Sequence, residues 1–236
     1  MQKGNLYLIP SFLAETNTRA MVSTYNLDHI YALDVFIVEN LRTARRFLRK
    51  LDYKRSFDEV VFYELNKHTD PGQIQSYLQL SLQGRHIGLI SEAGSPCIAD
   101  PGAAIVEQAH QRGIRVVPLI GPSSILLALI ASGFNGQNFA FNGYLPIDKK
   151  QRDQKIRELD TKIREQRQTQ VFMETPYRNN AMIASLLAQC RKDTLLCIAS
   201  EITHEKWEKI QTRTIADWKK NVPDFHKKTC VFLIYS

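Results

Sequence analysis

The stretch LISEAGSPCIADPG, residues 89–102, decides the fold. It begins as an apolar run, changes abruptly to small residues and two prolines, and leads directly into a helical pattern. In an open α/β sheet, ligands bind beyond the carboxyl ends of the strands, where such turns gather. Ala93, Gly94 and Ser95 carry almost no side chain, so a ligand can approach their backbone closely. The alternative is an ordinary tight strand-to-helix connection that needs small residues for packing.

Strands and helices alternate on both sides of this stretch. Strand-like runs are predicted at 5–12, 33–39, 59–65, 86–91 and 114–120, and helices at 43–52, 71–84 and 100–113. Asp100 is expected to cap the last of these helices, with Pro101 in its first turn and Gly113 at its end. This rhythm is typical of βαβ units and predicts a mainly parallel sheet.

The second half of the chain is built differently. Helices are predicted at 121–133, 149–167, 177–190 and 215–221, and strands at 138–145, 169–175, 194–202, 208–214 and 229–235. Strand-like runs with little helix between them close the sequence, which predicts a mixed sheet. We therefore predict two α/β domains, 1–118 with a mainly parallel sheet and 119–236 with a mixed sheet, and a cleft between them.

Composition is that of a globular protein. Of 236 residues, 44% are apolar and 23% are charged, and no apolar run approaches the ~18 residues of a membrane helix. The first residues lack the apolar region of a signal peptide. Four scattered cysteines have no metal-binding spacing and are expected to be buried free thiols. We predict a cytoplasmic protein without a membrane span or a metal; the net charge of +7 is compatible with an anionic partner.

A second turn of small residues, IGPSS at 120–124, also follows a strand and opens a helix. The two turns are expected to line the same pocket mouth. GxGxxG, GxxxxGK[ST] and GxSxG patterns are missing from the sequence. Their absence argues against a dinucleotide fingerprint, a phosphate loop and a hydrolase nucleophile elbow.

Seven blocks of the sequence carry a family resemblance. In order they are GNLYLIPS, VENLRTARRFL, GLISEAGSPCIADPG, VVPLIGPSSILLALIASG, FNGYLP, QVFMETPYR and IASEITHE. Together they resemble the tetrapyrrole methylase superfamily, most closely its branch of small-subunit ribosomal RNA cytidine 2′-O-methyltransferases. The resemblance covers nearly the whole chain. It implies two α/β domains that bind S-adenosylmethionine, in a protein that forms a homodimer.

The resemblance also implies roles for individual residues. The residues that match cofactor-contacting positions of the family are Ala93, Gly94, Ser95, Ser123, Ser124, Glu174, Ala199 and Ser200. Glu39 and Arg42 match a Glu-Asp-Thr-Arg motif near the acceptor, and Pro176, Tyr177 and Arg178 match a Ser-Pro-His-Arg motif. Glu39, Arg42 and His204 are the candidate catalytic residues, and either Glu39 or His204 would accept the proton of an acceptor hydroxyl. The alternatives are that Glu39 caps the helix that begins near residue 41, that Arg42 pairs with Glu39, and that His204 is an exposed turn residue.

The sequence departs from the family pattern in several places. The first loop of the family reads Thr-Pro-Ile-Gly-Asn, whereas residues 11–15 read Ser-Phe-Leu-Ala-Glu and the proline is Pro10. Asn40 and Leu41 replace the Asp-Thr of the family motif, and His204 stands where the family has lysine. We also expect the C-terminal extension of the ribosomal enzymes to be missing.

Three functions fit these observations. The first is methylation of a ribose hydroxyl in small-subunit ribosomal RNA, the second is methylation of a tetrapyrrole or another non-RNA acceptor, and the third is binding of S-adenosylmethionine or RNA without catalysis. An RNA substrate calls for basic clusters. One such cluster lies on 149–167, where acids are mixed in, and the other comprises Arg42, Arg45, Arg46, Arg49 and Lys50. The second has fewer acids and is the better candidate for an RNA contact.

Overall fold

A computed structural model describes residues 2–66 and 68–236. The chain divides into two compact units, Met1–Ser123 and Ser124–Ser236. The observed boundary lies within the second small-residue turn, between Ser123 and Ser124, whereas the predicted boundary, after residue 118, precedes that turn.

The first unit contains a parallel sheet. Its strands are β1 (Leu6–Ile9), β2 (Val35–Val38), β3 (Val61–Glu64), β4 (Ile87–Ile90) and β5 (Val116–Pro118). Their order across the sheet is β3-β2-β4-β1-β5, and each of these neighbours pairs in parallel. The prediction of a mainly parallel N-terminal sheet is confirmed.

The helices of this unit are α1 (Thr24–Ala32), α2 (Leu41–Lys50), α3 (Pro71–Tyr77), α4 (Gln79–Leu82) and α5 (Gly102–Gln111), with short 3₁₀ turns at Arg19–Met21 and Phe57–Glu59. Two of them differ from the sequence prediction. The sequence did not predict α1, and the helix predicted at 71–84 is interrupted at Leu78, which separates α3 from α4. In α2, Phe47 and Leu48 are buried as predicted.

Two apolar clusters pack on opposite faces of the parallel sheet. Phe36 and Val38 of β2 belong to the cluster that includes residues of α1 and α2. Val35 and Ile37 belong to the second cluster, which includes Leu78, between α3 and α4, and residues of α5. Successive strand residues point to opposite faces, so α1 and α2 cover one face of the sheet and α5 covers the other.

Asp100 lies one residue before the N-cap position of α5, whereas the sequence predicts it to be the cap. Helix α5 begins at Gly102, and the residue in its N-cap position is Pro101. Asp100 Oδ1 still accepts from the Gly102 N–H at 2.7 Å, and its Oδ2 accepts from the Cys97 N–H at 2.8 Å. The carboxylate therefore satisfies a first-turn donor and also closes the preceding turn.

The second unit contains a mixed sheet. Its strands are β6 (Phe139–Tyr144), β7 (Thr169–Glu174), β8 (Leu195–Ser200), β9 (Lys209–Thr214) and β10 (Cys230–Tyr235), in the order β6-β7-β10-β8-β9. The β6–β7 pair is parallel, and the other pairs are antiparallel. The predicted mixed C-terminal sheet is confirmed.

Helices cover this sheet as well. They are α6 (Ser124–Ser132), α7 (Lys149–Glu165), α8 (Asn179–Gln189) and α9 (Ile215–Trp218). Apolar residues of α7, α8 and α9 share one buried cluster with Phe172 and Phe232 of the sheet, and α6 packs on β8, β9 and β10. None of the helices in the described part of the chain combines the length and apolar character that crossing a membrane requires.

The cysteines are free thiols, as predicted. Cys190, Cys197 and Cys230 are buried, and Cys97 is half-buried. Burial raises the pKa of Cys97 and of Cys230 to about 11, with nearby carboxylates adding to the effect. At neutral pH these thiols are therefore protonated and poorly reactive.

Candidate active site

Three strands of the first unit end together at one edge of the parallel sheet. Ile9 of β1 and Val38 of β2 are both in register with Ile90 of β4. The loops after β1 and β2 lead to α1 and α2 on one face, whereas the loop after β4 leads to α5 on the other. Connections that depart to opposite faces open a crevice at the carboxyl edge, the usual ligand position in this architecture.

The turn after β4 is fixed by hydrogen bonds to one carbonyl group. The Gly94 oxygen accepts from the Ser11 N–H at 3.0 Å and from the Ser91 hydroxyl at 2.6 Å. Gly94 has a φ of +72°, and a Cβ atom there would lie 3.0 Å from Leu13 Cδ2 and 3.2 Å from the Pro122 oxygen. Both the left-handed backbone and the close approach require glycine.

The same turn leaves backbone donors unused. The backbone N–H groups of Ala93 and Ser95 have no acceptor within residues 2–66 and 68–236, whereas the Gly94 N–H faces Ser11 in an antiparallel bridge. Backbone N–H groups of small residues in a turn can bind an anionic oxygen. The two small-residue turns also meet, because the Ser95 hydroxyl donates to the Pro122 oxygen at 3.1 Å.

Glu39 lies at the end of β2, beside this turn. Its Oε1 accepts from the Glu92 N–H at 3.1 Å. Burial raises the pKa of the Glu39 carboxyl; the Glu92 N–H opposes that effect, and the charges of Asp100 and Glu92 add to it. A half-buried carboxylate with a raised pKa can accept a proton readily.

Glu39 does not cap α2, so the capping alternative is wrong. Asn40 is the N-cap, and its Oδ1 accepts from the N–H groups of Arg42 at 2.9 Å and Thr43 at 3.2 Å. Arg42 is exposed, and its guanidinium forms no ion pair or hydrogen bond in the described chain. The alternative in which Arg42 pairs with Glu39 is therefore also wrong.

A basic surface begins at this edge. Arg42, Arg45, Arg46 and Arg49 are spaced i, i+3, i+4 and i+7 on α2, which places them on one side of the helix. We call these residues together with Lys50 the α2 basic face. Arg45 and Arg49 lie over the Phe57 ring at 5.5 and 5.3 Å, which holds both guanidinium groups in place.

Helix α7, the second basic segment of the sequence, is largely self-neutralised. Lys149 pairs with Asp153 at 2.7 Å, and Lys155 lies 3.6 Å from Glu158. On the α2 basic face, only Arg46 approaches a carboxylate, that of Glu15 at 3.8 Å, within the described residues. Helix α2, which has no acidic residue of its own, therefore carries the larger uncompensated charge.

In the second unit, Glu174 is a buried carboxylate with several donors. Its Oε1 accepts from the Thr175 N–H at 2.7 Å and from Arg178 Nε and Nη2 at 2.9 and 2.6 Å. Ala199 and Ser200 lie in β8 and are buried, and Ser124 is the half-buried first residue of α6. Ser123, the last residue of the first unit, is half-buried.

His204 is not an exposed turn residue, so that alternative is wrong. The residue is buried, with 9% of its surface exposed, and its ring stacks on Trp207 at 4.3 Å. Its Nδ1 accepts from the N–H groups of Lys206 and Trp207 at 3.2 and 3.3 Å. One ring nitrogen is thus used to hold the 204–207 turn.

Sequence reasoning missed four polar residues at the edge of the first sheet. They are Ser11, Thr43, Ser91 and Glu92, and they line a small cavity together with Glu39. Thr43 donates to Glu92 Oε1 at 2.5 Å. The available signal was position, because Ser91 ends a predicted strand, Glu92 directly follows it, and Thr43 follows the Glu39–Arg42 motif.

Comparison with known proteins shows which family the sequence matches. The family model of the Tetrapyrrole (Corrin/Porphyrin) Methylases matches residues 27–218. A protein of Buchnera aphidicola named ribosomal RNA small subunit methyltransferase I is 29% identical over 98% of this chain and 78% of its own length. Proteins of the same name from Haemophilus influenzae and Vibrio cholerae are each 30% identical, over 98% and 90% of this chain and 78% and 69% of their own lengths.

Solved structures share the fold. The crystal structure of the methyltransferase CobJ superposes with a TM-score of 0.65 at 14% identity, covering 99% of this chain and 94% of that chain. The cobalt precorrin-4 methyltransferase CbiF superposes with a TM-score of 0.60 at 13% identity, covering 98% and 94%. Both contain the two-unit α/β architecture described above.

Proposed function

This chain belongs to the tetrapyrrole (corrin/porphyrin) methylase family and is a methyltransferase, and we propose that it transfers the methyl group of S-adenosylmethionine to a ribose hydroxyl of small-subunit ribosomal RNA. The observation that carries the proposal is similarity along nearly the whole chain to proteins named for that RNA. The exposed, uncompensated α2 basic face supports a polyanionic substrate.

The residues of the first turn fit the proposed methyl donor. The free N–H groups of Ala93 and Ser95 suit the carboxylate of an amino acid, and the small side chains of residues 93–95 leave the backbone accessible. We propose that these residues and Ser123 hold the donor. In the second unit we propose the same role for Ser124, Glu174, Ala199 and Ser200.

S-adenosylmethionine, when bound, supplies an electrophilic methyl group. The protein then has to orient the acceptor hydroxyl and accept its proton. Glu39 is the proposed proton acceptor, because it lies at the carboxyl edge and burial has raised the pKa of its carboxyl. His204 is the weaker candidate, since its Nδ1 already accepts backbone N–H groups. Arg42 is exposed near Glu39 in sequence and is proposed to contact the RNA backbone at the reacting nucleotide.

We further propose that the protein is a cytoplasmic homodimer, the location being that of the ribosomal substrate. In the second unit, Leu126 and Ile130 are four residues apart on α6 and are 51% and 76% exposed. Neighbouring exposed apolar residues on one helix side are typical of association surfaces. Light scattering on the purified protein gives the oligomeric state directly.

The decisive experiment uses radiolabelled S-adenosylmethionine. Small ribosomal subunits from cells that lack this protein serve as the acceptor, beside a panel of tetrapyrroles, and nuclease digestion locates the label. Label on a ribose of small-subunit RNA is the expected result. Label on a tetrapyrrole would replace the RNA proposal, and cofactor binding without label on either acceptor would indicate a binding protein.

A further inference from the structure

Ser11 presents a buried hydroxyl group that the protein does not use. The residue is 4% exposed, and its backbone N–H is already bonded to the Gly94 oxygen. Its Oγ has no hydrogen-bond partner in the described part of the chain. Buried hydroxyl groups in proteins are nearly always hydrogen-bonded, to protein or to ordered water, so a partner other than a protein group is expected.

The hydroxyl belongs to a residue that lines a polar cavity. Ser11, Glu39, Asn40, Thr43, Ser91 and Glu92 contribute the polar part of its wall, and apolar residues of β2, β4 and α2 complete it. The Asn40 Oδ1 is already used, because it accepts from the N–H groups of α2. Its volume is about 20 Å³, which is room for one water-sized group.

The donors and acceptors that line the cavity determine what kind of group it can hold. Glu39 Oε1 accepts from the Glu92 N–H, and Glu92 Oε1 accepts from the Thr43 hydroxyl. The second oxygen of each carboxylate can still accept, while the Ser11 hydroxyl can donate or accept. Two carboxylates disfavour an anion, and Mg²⁺ or Ca²⁺ needs six or more oxygen ligands. A neutral group that both donates and accepts hydrogen bonds can pair with the free carboxylate oxygens and with the Ser11 hydroxyl.

We propose that the cavity holds one water molecule, which accepts from the Ser11 hydroxyl and donates to the Glu39 carboxylate. Ser11 is then a positioning residue that acts through this water on the proposed proton acceptor. The catalytic part of this inference rests on the proposed function, whereas the water site itself does not.

The groups that face Glu39 determine how the water affects it. The charges that act on the Glu39 carboxyl are those of Glu92, which follows β4, and Asp100, which precedes α5. On the neighbouring elements, Glu64 at the end of β3 accepts from the Leu41 N–H at 3.2 Å, and Arg42 on α2 does not pair with Glu39. Burial and the nearby carboxylates raise the pKa of Glu39. A donor to its ionised form lowers that pKa, so loss of an oriented water is expected to raise it further.

The test compares Ser11→Ala with Thr16→Ala. The Thr16 hydroxyl is also buried without a partner among the described residues, but Thr16 is not part of the cavity wall. The Glu39 carboxyl is titrated by carbon NMR, with Glu39→Gln identifying its signal, and the pH dependence of RNA methylation is recorded in parallel. Ser11→Cys, a weaker donor of similar size, serves if the alanine variant does not fold.

In Ser11→Ala we expect the Glu39 midpoint and the acidic limb of the rate profile to move up together by about half to one pH unit. Methylation on that limb then falls about 3- to 10-fold, since one pH unit is tenfold in protonation, and Thr16→Ala changes neither. An unchanged Glu39 midpoint in folded Ser11→Ala or Ser11→Cys overturns the inference. The NMR titration needs no turnover, so a wild-type protein that methylates no RNA would refute the proposed function and leave the water site tested.

Discussion

The carboxylate of Glu39 and the backbone N–H of Glu92 are hydrogen-bonded at 3.1 Å, across the ends of neighbouring strands β2 and β4. This bond brings two acidic residues to one edge of the parallel sheet. The N–H stabilises the ionised form of Glu39, while burial and the charges of Asp100 and Glu92 oppose it more strongly. The edge thus holds a carboxylate with a raised pKa where the connecting loops diverge.

The first prediction concerns pH and stability. Because the pKa of Glu39 is higher in the folded than in the unfolded protein, the native state binds the proton more tightly. The free energy of unfolding therefore falls as pH rises from the ordinary glutamate value of about 4.3 to the raised value. In Glu39→Gln the amide oxygen can still accept from the Glu92 N–H, but the titrating carboxyl is gone. The melting temperature of this variant relative to that of the wild type should therefore increase as pH rises through this window.

Calorimetry at a series of pH values checks this result. Glu107→Gln, on the exposed side of α5, is the control and should show no such pH-dependent difference. A Glu39→Gln advantage that shrinks with increasing pH would contradict the assignment.

The second prediction concerns the Glu174–Arg178 pair. The Glu174 side chain is 1% exposed, and Arg178 supplies two of its hydrogen bonds. Arg178→Gln should lower the free energy of unfolding by about 2–3 kcal/mol, since hydrogen bonds to buried charged groups are the strong ones. The comparison is Lys220→Gln, which breaks the exposed pair with Asp217 and should cost far less, because water screens exposed ion pairs. Equal losses in chemical denaturation would argue against a structural role for the buried carboxylate.

The third prediction concerns RNA affinity. Arg46→Gln/Arg49→Gln removes two cations from the α2 basic face, and each phosphate contact contributes to the salt dependence of binding. We expect about tenfold weaker binding of small-subunit RNA and a salt slope lower by about 1–2. Fluorescence anisotropy at several salt concentrations measures both quantities.

The matched control is Lys150→Gln/Lys162→Gln on α7, which removes the same charge from the largely self-neutralised segment. Its RNA affinity and salt slope should stay close to those of wild type. If the two double variants weaken binding equally, net charge rather than the α2 basic face determines the affinity.

The fourth prediction separates backbone strain from crowding at Gly94. Gly133→Ala places a side chain at a φ of +79° with no atom within 4 Å, whereas Gly94→Ala adds contacts at 3.0 and 3.2 Å. Left-handed backbone alone costs about 1–2 kcal/mol, so both variants lose stability and Gly94→Ala loses more. Gly94→Ala should also weaken S-adenosylmethionine binding in isothermal titration, and Gly133→Ala should not. Unchanged cofactor affinity in Gly94→Ala would remove the first turn from the donor site.

The alternation of apolar runs with helical patterns, and the Gly, Pro and Asp residues between them, were enough to predict the two sheets. The runs at 33–39 and 86–91 are continuous and apolar, as buried parallel strands require. Helix α1 escaped prediction because one of its buried residues is Asn26, which donates to the Ile120 oxygen at 2.6 Å. Such a residue counts as polar in any pattern, and its partner is distant in sequence.

The site was predictable only in part for a similar reason. The turn at 91–95 stands out by composition, and Glu39 by its match to the Glu-Asp-Thr-Arg motif of the family. The choice between Asn40 and Glu39 as the helix cap depends on which side chain points toward the first turn, and sequence spacing does not determine this. Likewise, nothing in the order of residues indicates that His204 is buried against Trp207.

The connection between Ser11 and Gly94 is made entirely by main-chain atoms. Anchoring of this kind does not depend on which side chain residue 11 carries, so residues 11–15 can diverge while the loop remains attached to the sheet. A protein engineer could therefore randomise residues 12–15 and select for new methyl acceptors without rebuilding the scaffold, while keeping Ser11 for the positioning role proposed above. Because the bond to Gly94 uses only the main chain, the first loop can change its side chains, and with them the methyl acceptor, while the turn at 91–95 is kept.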